Sequence, residues 1–249
     1  MIRDLKFPLI IAHRGFSARY PENTAAAFQA ALDAGAQMIE LDVTLTRDRR
    51  MIVIHDDTVD RTTNAKGRVI DYTLSELRQL DAGSWFHPRF SEERLPALEE
   101  AVEMITARAA LNIEIKPEAY EPDEPDDAIE YQVADVIRTK GVSDRVLISS
   151  FDPRSLERIA RMNEGFELGL LWEGRADAQT LALCRRLNVF SWNPDWRNLE
   201  KEQAAMMGQA GIRTLTYTVN DRAVFEKLMD MGADGVFTDD PILFSVHPE

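Results

Sequence analysis

Four short apolar runs in the first half of the chain stop or alternate where charge enters. Ile10-Ile11-Ala12 stops at His13-Arg14-Gly15, and Met51-Ile52-Val53-Ile54 stops at His55-Asp56-Asp57. Ile39-Glu40-Leu41-Asp42-Val43 interleaves two carboxylates, and Leu111-Asn112-Ile113-Glu114-Ile115-Lys116-Pro117 alternates throughout. A strand sends successive side chains to opposite faces, so Glu40 and Asp42 share one face, as do Asn112, Glu114 and Lys116. A buried, unpaired carboxylate costs several kcal/mol or shifts its pKa until it is neutral. Apolar strands carry such groups only for a reason, and the pattern predicts four strand ends that converge.

Between and beyond these runs the pattern is helical. Asn23 and Thr24 are N-cap types, the Ala-rich stretch 25–34 follows, and Gly35 is a stop signal. After the strand at Met38–Leu45, the link Thr46-Arg47-Asp48-Arg49-Arg50 is far shorter than the dozen or so residues a parallel crossover needs. The run ending at His55 is therefore expected to pair with its predecessor as a hairpin. Residues 56–98 form a long, irregular insertion with a helical stretch at 74–80, the kind of segment that walls or lids a site. The acidic, Pro-rich stretch 118–127 reads as an exposed loop.

From there the alternation is regular. Helices are expected at 128–140, 153–162, 177–187, 199–209 and 222–231, with strands at 145–149, 168–172, 189–192, 214–219 and 235–238. Strictly alternating strands and helices imply a parallel sheet with helices outside. No Gly-x-Gly-x-x-Gly follows the first strand and no P-loop motif is present, which favours a closed TIM-like (β/α)8 barrel over a Rossmann fold. Nine strand candidates leave one surplus to eight, placed at the hairpin, so that the insertion follows the third strand. A barrel of this kind takes about 250 residues, and residues 1–249 read as one such domain.

Charge and cysteine content narrow the function. A formal net charge of −14 disfavours broad binding to nucleic acid or anionic membranes. Cys184 stands alone, so neither an internal disulfide nor a Cys-based metal site is available, and it reads as a small buried residue. The apolar run at 7–12 leads straight into His13 and reads as strand, not signal peptide. Nothing approaches the roughly 20 apolar residues of a membrane span. A cytoplasmic location is the expectation.

The polar strand ends suggest chemistry at phosphorus. Glu40, Asp42 and Glu114 are hard oxygen donors suited to Mg²⁺ or Ca²⁺. His13 and His55 can exchange protons near neutral pH, and Arg14 and Lys116 suit an anion such as a phosphodiester. Each has a duller reading: a packed histidine, a Lys116–Glu114 ion pair, carboxylates that only neutralise Arg14. Their coincidence at four strand ends weighs against all of these at once. A non-catalytic phosphate sensor has no use for paired imidazoles. Proton abstraction beside a carboxylate wants further acidic ligands where the later strands offer Ser149, Trp172, Asn193 and Thr218. Trp172, Trp192 and Tyr217 either wall a substrate pocket or fill core, and His87 and His247 read as surface residues.

His13-Arg14-Gly15 with Pro21-Glu22-Asn23-Thr24, Glu40-Leu41-Asp42-Val43, His55-Asp56-Asp57, Arg61-Thr62-Thr63-Asn64, Leu74-Ser75-Glu76-Leu77, Asn112 through Pro117, Ser149-Ser150-Phe151 and Tyr217-Thr218-Val219-Asn220 together resemble the glycerophosphodiester phosphodiesterase family, above all its small cytoplasmic bacterial members. The resemblance implies a barrel whose insertion is residues 56–98 and one divalent cation held by Glu40, Asp42 and Glu114. It implies acid/base catalysis by His13 and His55, and phosphate binding by Arg14 and Lys116. It further implies hydrolysis of small glycerophosphodiesters to glycerol 3-phosphate and an alcohol through a cyclic phosphate. One departure is Asp48-Arg49 where the family often has Asp-Gly, which predicts an arginine strained at positive φ in the hairpin.

Overall fold

The computed structural model describes residues 1–244, so His247 lies outside the described residues. The strands are β1 (Leu9–Ala12), β2 (Met38–Leu45), β3 (Met51–Val53), β4 (Ala110–Ile115), β5 (Val146–Ser150), β6 (Glu167–Trp172), β7 (Ser191–Pro194), β8 (Arg213–Thr216) and β9 (Gly235–Thr238). Eight of them run parallel in the order β1-β9-β8-β7-β6-β5-β4-β2, and a β1–β2 pairing closes the ring. The ninth, β3, lies outside the ring, antiparallel to β2, with Val43 opposite Val53. The five-residue link thus makes the hairpin that its length demands.

The helices are α1 (Ala25–Asp33), α2 (Leu74–Leu77), α3 (Leu98–Thr106), α4 (Ile129–Lys140), α5 (Pro153–Arg161), α6 (Ala178–Leu187), α7 (Lys201–Gln209) and α8 (Arg222–Asp230). Their starts are written in the sequence: the Thr24 side chain accepts from Ala27 N, and Asp152 caps α5 ahead of Pro153. Ile39, Leu41, Val43, Leu111, Ile113 and Ile115 point outward into the main core beneath the helices. The alternate residues point into the barrel. Leu9, Ile11, Met38, Ala110, Leu147, Leu215 and Phe237 fill its lower end, with Ile2 packed among them. Above them, a Cβ on Gly169 would stand 3.0 Å from Asn193 Nδ2, so glycine makes room for a polar layer there. Residues 56–98 carry a small core of their own, including Val59, Val69, Leu77 and Leu95 against Ile52 and Ile54.

Several expectations shift. The strand expected at 189–192 starts later, because Phe190 instead joins the apolar lower end of the barrel. The one expected at 214–219 ends at Thr216, and Tyr217 and Thr218 turn into the cavity mouth. The helix at 74–80 is a single turn, Leu74–Leu77, held by a Thr73/Glu76 capping box. Trp192 is fully buried in the core outside the barrel. Arg49 does sit at φ 57, anchored to Glu121 and Asp127 in the acidic loop. Among the described residues, no helix is long and apolar enough to cross a membrane.

Candidate active site

The register fixes the acidic residues. Asp42 lies opposite Glu114 and Glu40 opposite Asn112 in the β2–β4 ladder, so all three carboxylates rise from the inner face of neighbouring strands. Each offers an oxygen within 4.8 Å of the others, and all three are buried. Burial first, then the charges of Asp42 and Glu114, hold the Glu40 carboxyl well above its ordinary range. Burial and Asp42 push Glu114 up to about 7, against the pull of Lys116. Burial would also raise Asp42, but Arg14, Lys116, His55 and the Asn23 amide overcome it and bring that carboxyl down to about 2. Among the described residues, buried Glu40 Oε1 meets no hydrogen-bond partner. Crowded hard oxygens that resist ionising together, with one acceptor unused, fit a divalent cation.

The first-strand motif supplies the opposing charge. Arg14 sits at φ 55, its backbone N–H donates to Glu40 Oε2 at 2.9 Å, and its Nη1 donates to Glu22 Oε1 at 2.8 Å. Its Nε lies 3.3 Å from Asp42 Oδ2. Gly15 follows at φ 80, where a Cβ would meet the Ala27 carbonyl carbon at 2.6 Å, so no other residue fits without moving α1. Asn23 Nδ2 donates to Asp42 Oδ2 at 2.9 Å, which makes Glu22, Asn23 and Thr24 respectively the partner of Arg14, the partner of Asp42 and the helix cap. Lys116 Nζ lies 2.9 Å from Glu114 Oε1 and 3.5 Å from Asp42 Oδ1.

Both imidazoles are held from behind. His13 Nδ1 lies 2.7 Å from Asp239 Oδ1, just beyond β9, and Asp239 also accepts from Ser17 Oγ and Asn220 Nδ2. Burial would raise Asp239, yet these bonds bring its carboxyl down to about 2. His55 Nδ1 lies 2.7 Å from Asp56 Oδ1. Burial lowers the pKa of His55, helped by the charges of Arg14 and Lys116 and opposed by Asp42 and Asp56. With Nδ1 engaged on each ring, Nε2 is the atom left for chemistry.

One cavity of about 120 Å³ brings His13, Arg14, Glu40, His55 and Glu114 to a common wall. Phe151, Leu171, Tyr217 and Thr218 face them. An adjoining cleft of about 400 Å³ shares Phe151 and Leu171 and adds Lys116 and Trp172. A groove of about 490 Å³ beside Arg49 and Arg68 holds neither histidine nor any of the three clustered carboxylates, so size does not mark the site. Six of the seven residues expected to converge line these two linked cavities, and the seventh, Asp42, is buried beside them against Arg14 and Lys116. His87 lines neither of them, its ring accepting from Arg89 N.

The model of the glycerophosphoryl diester phosphodiesterase family matches residues 13–243. This chain belongs to that family. It is 41% identical over 236 residues, 94% of each chain, to a glycerophosphodiester phosphodiesterase of Caldanaerobacter subterraneus subsp. tengcongensis. A Bacillus subtilis glycerophosphodiester phosphodiesterase is 34% identical over 95% of this chain and 85% of its own length. Among solved structures, an Oleispira antarctica phosphodiesterase in complex with the product sn-glycerol-3-phosphate superposes with a TM-score of 0.87 at 31% identity, covering 94% of each chain. Membership makes the protein a phosphodiesterase hydrolase, and its buried cluster of Glu40, Asp42 and Glu114 is compatible with a divalent metal site. Sequence reasoning singled out neither Asp239 nor Asp56 as partners of the histidines. Asp56 was visible beside His55, whereas only its place after the last strand pointed to Asp239.

Proposed function

We propose that this chain, acting as one barrel domain with 56–98 as its insertion, hydrolyses small glycerophosphodiesters to glycerol 3-phosphate and an alcohol by paired-histidine acid/base catalysis. The observation that carries the reading is the cavity in which two carboxylate-backed imidazoles meet Arg14 and Glu40 and Glu114 of a buried acidic trio. Glu40, Asp42 and Glu114 would hold one divalent cation, Mg²⁺ or Ca²⁺, which supplies positive charge against phosphoryl oxygens. Arg14 and Lys116 bind the remaining phosphate charge and orient the diester.

One imidazole, its Nδ1 held by a carboxylate, takes the proton from the glycerol 2-hydroxyl as that oxygen attacks phosphorus. The other, held the same way, delivers a proton to the departing alkoxide, so the alcohol leaves neutral. A cyclic phosphate results, and water opens it with the two imidazoles in exchanged roles. The aromatic wall of Phe151, Trp172 and Tyr217 excludes water from the non-reacting side of the substrate. Incubation with glycerophosphocholine and assay of glycerol 3-phosphate tests the reading. Turnover is expected in the wild type, with a loss of at least about a hundredfold in His13→Ala and in His55→Ala at unchanged circular dichroism. Wild-type rates in either variant contradict it.

A further inference from the structure

We infer that Arg61, on the insertion, is a positioning residue that sets both the phosphate-binding arginine and one imidazole from outside the cavity; the inference rests on the phosphodiesterase reading above. One guanidinium spans two carboxylates. Its Nη1 and Nη2 donate to Glu22 Oε2 and Oε1 at 2.6 and 2.8 Å. Its Nε and Nη2 donate to Asp56 Oδ2 and Oδ1 at 2.8 and 2.9 Å.

Each of those carboxylates has a second partner inside the site. Glu22 Oε1 also accepts from Arg14 Nη1, and Asp56 Oδ1 also meets His55 Nδ1. Arg61 therefore shares an acceptor oxygen with Arg14 on one side and with His55 on the other. What it withdraws from Glu22 and Asp56 limits how strongly they hold those two groups, and its planar fork fixes the direction from which they do so. A lysine presents no such fork.

The surrounding loop is built to deliver this side chain. Thr63 bonds back to Val59 O through both its N–H and its hydroxyl, and Asn64 pairs with Asp81 through its N–H and its side-chain oxygen. Val59 N donates to Gly67 O at 2.9 Å, closing the loop on itself. Arg61 remains 43% exposed, so its two bidentate bonds are not a by-product of deep packing. The Arg61-Thr62-Thr63-Asn64 motif thereby acquires a role in the site although it lines neither cavity.

The test measures kcat and KM for glycerophosphocholine in Arg61→Gln beside Glu22→Gln and Asp56→Asn. Loss of the Glu22 arm acts mainly on KM, loss of the Asp56 arm mainly on kcat, and Arg61→Gln moves both, each by about tenfold, the scale of one charged hydrogen bond. Arg61→Lys keeps the charge without the fork and shows the same double effect, which also covers the case in which the glutamine variant does not fold. If the wild type releases no glycerol 3-phosphate, the functional reading itself falls. If the wild type is active and the Arg61 variants change only one constant, or only the thermal midpoint, the inference is overturned.

Discussion

The two halves of the barrel rim are built from different chemistry. β1 to β4 and their loops supply His13, Arg14, Glu40, Asp42, His55, Glu114 and Lys116, nearly all the charge in the site. β5 to β9 supply Phe151, Leu171, Trp172, Tyr217 and Thr218, with Glu173 at the cleft, and among the described residues only Asp239 of their ionised groups grips a catalytic candidate. The contrast separates reaction from enclosure. Charges that must answer one another are carried on hydrogen-bonded neighbouring strands, where register holds Asp42 beside Glu114. The far wall supplies mainly shape and low polarity, with Glu173 as its charged member at the cleft.

That division breaks first, if it is wrong, under substitution. Glu40→Gln or Glu114→Gln in the charged half should cost at least about a thousandfold in kcat/KM, since each removes a proposed cation ligand and reshapes the pairing of Arg14 or Lys116. Trp172→Ala in the neutral half should cost about tenfold or less, chiefly in KM, as expected for lost binding contact. Steady-state kinetics on the three variants decides it, and comparable losses in both halves contradict the division.

A smaller effect appears as pH dependence of stability in chelator-treated protein. Glu114 stands at about 7 when folded, raised by burial and then by Asp42, against an ordinary 4.5. A carboxyl raised by folding holds its proton more tightly in the folded state, so its stabilisation is complete below about 4.5 and is lost as pH rises through about 7. The thermal midpoint should therefore fall between pH 5 and 8 and flatten when saturating Mg²⁺ is restored. Asp42, held near 2, acts oppositely, losing its contribution only as pH drops below its ordinary 3.8, outside that window. An unchanged slope with and without cation argues against the trio as the binding site.

The smallest effect belongs to the hairpin. Arg49→Gly relieves a left-handed arginine, worth about 1–2 kcal/mol, and gives up solvent-screened pairs with Glu121 and Asp127 that offset part of that gain. Chemical denaturation should place the variant within about 1 kcal/mol of wild type, with activity intact.

The charged half was the legible half. A carboxylate inside an apolar alternation cannot be mistaken for filling, so Glu40, Asp42 and Glu114 declared themselves, and the five-residue link disclosed the hairpin. The neutral half speaks more faintly, because an aromatic residue near a strand end packs inward or outward with equal ease. Trp172 reaches the cleft and Trp192 lies in the outer core, although both close apolar runs. Strand ends slipped for a similar reason: Phe190 and Tyr217 have the apolar character of strand residues but serve the barrel interior and the cavity mouth. Asp239 meets His13 226 residues away and Arg61 meets Glu22 39 residues away, pairings that local patterning does not encode.

The most direct measurement is glycerol 3-phosphate release from glycerophosphocholine by metal-stripped protein as Mg²⁺ or Ca²⁺ is added back. The account predicts no release without cation and recovery that saturates with one site per chain, absent in Glu40→Gln. Full turnover by the stripped protein, or equal recovery in that variant, contradicts it.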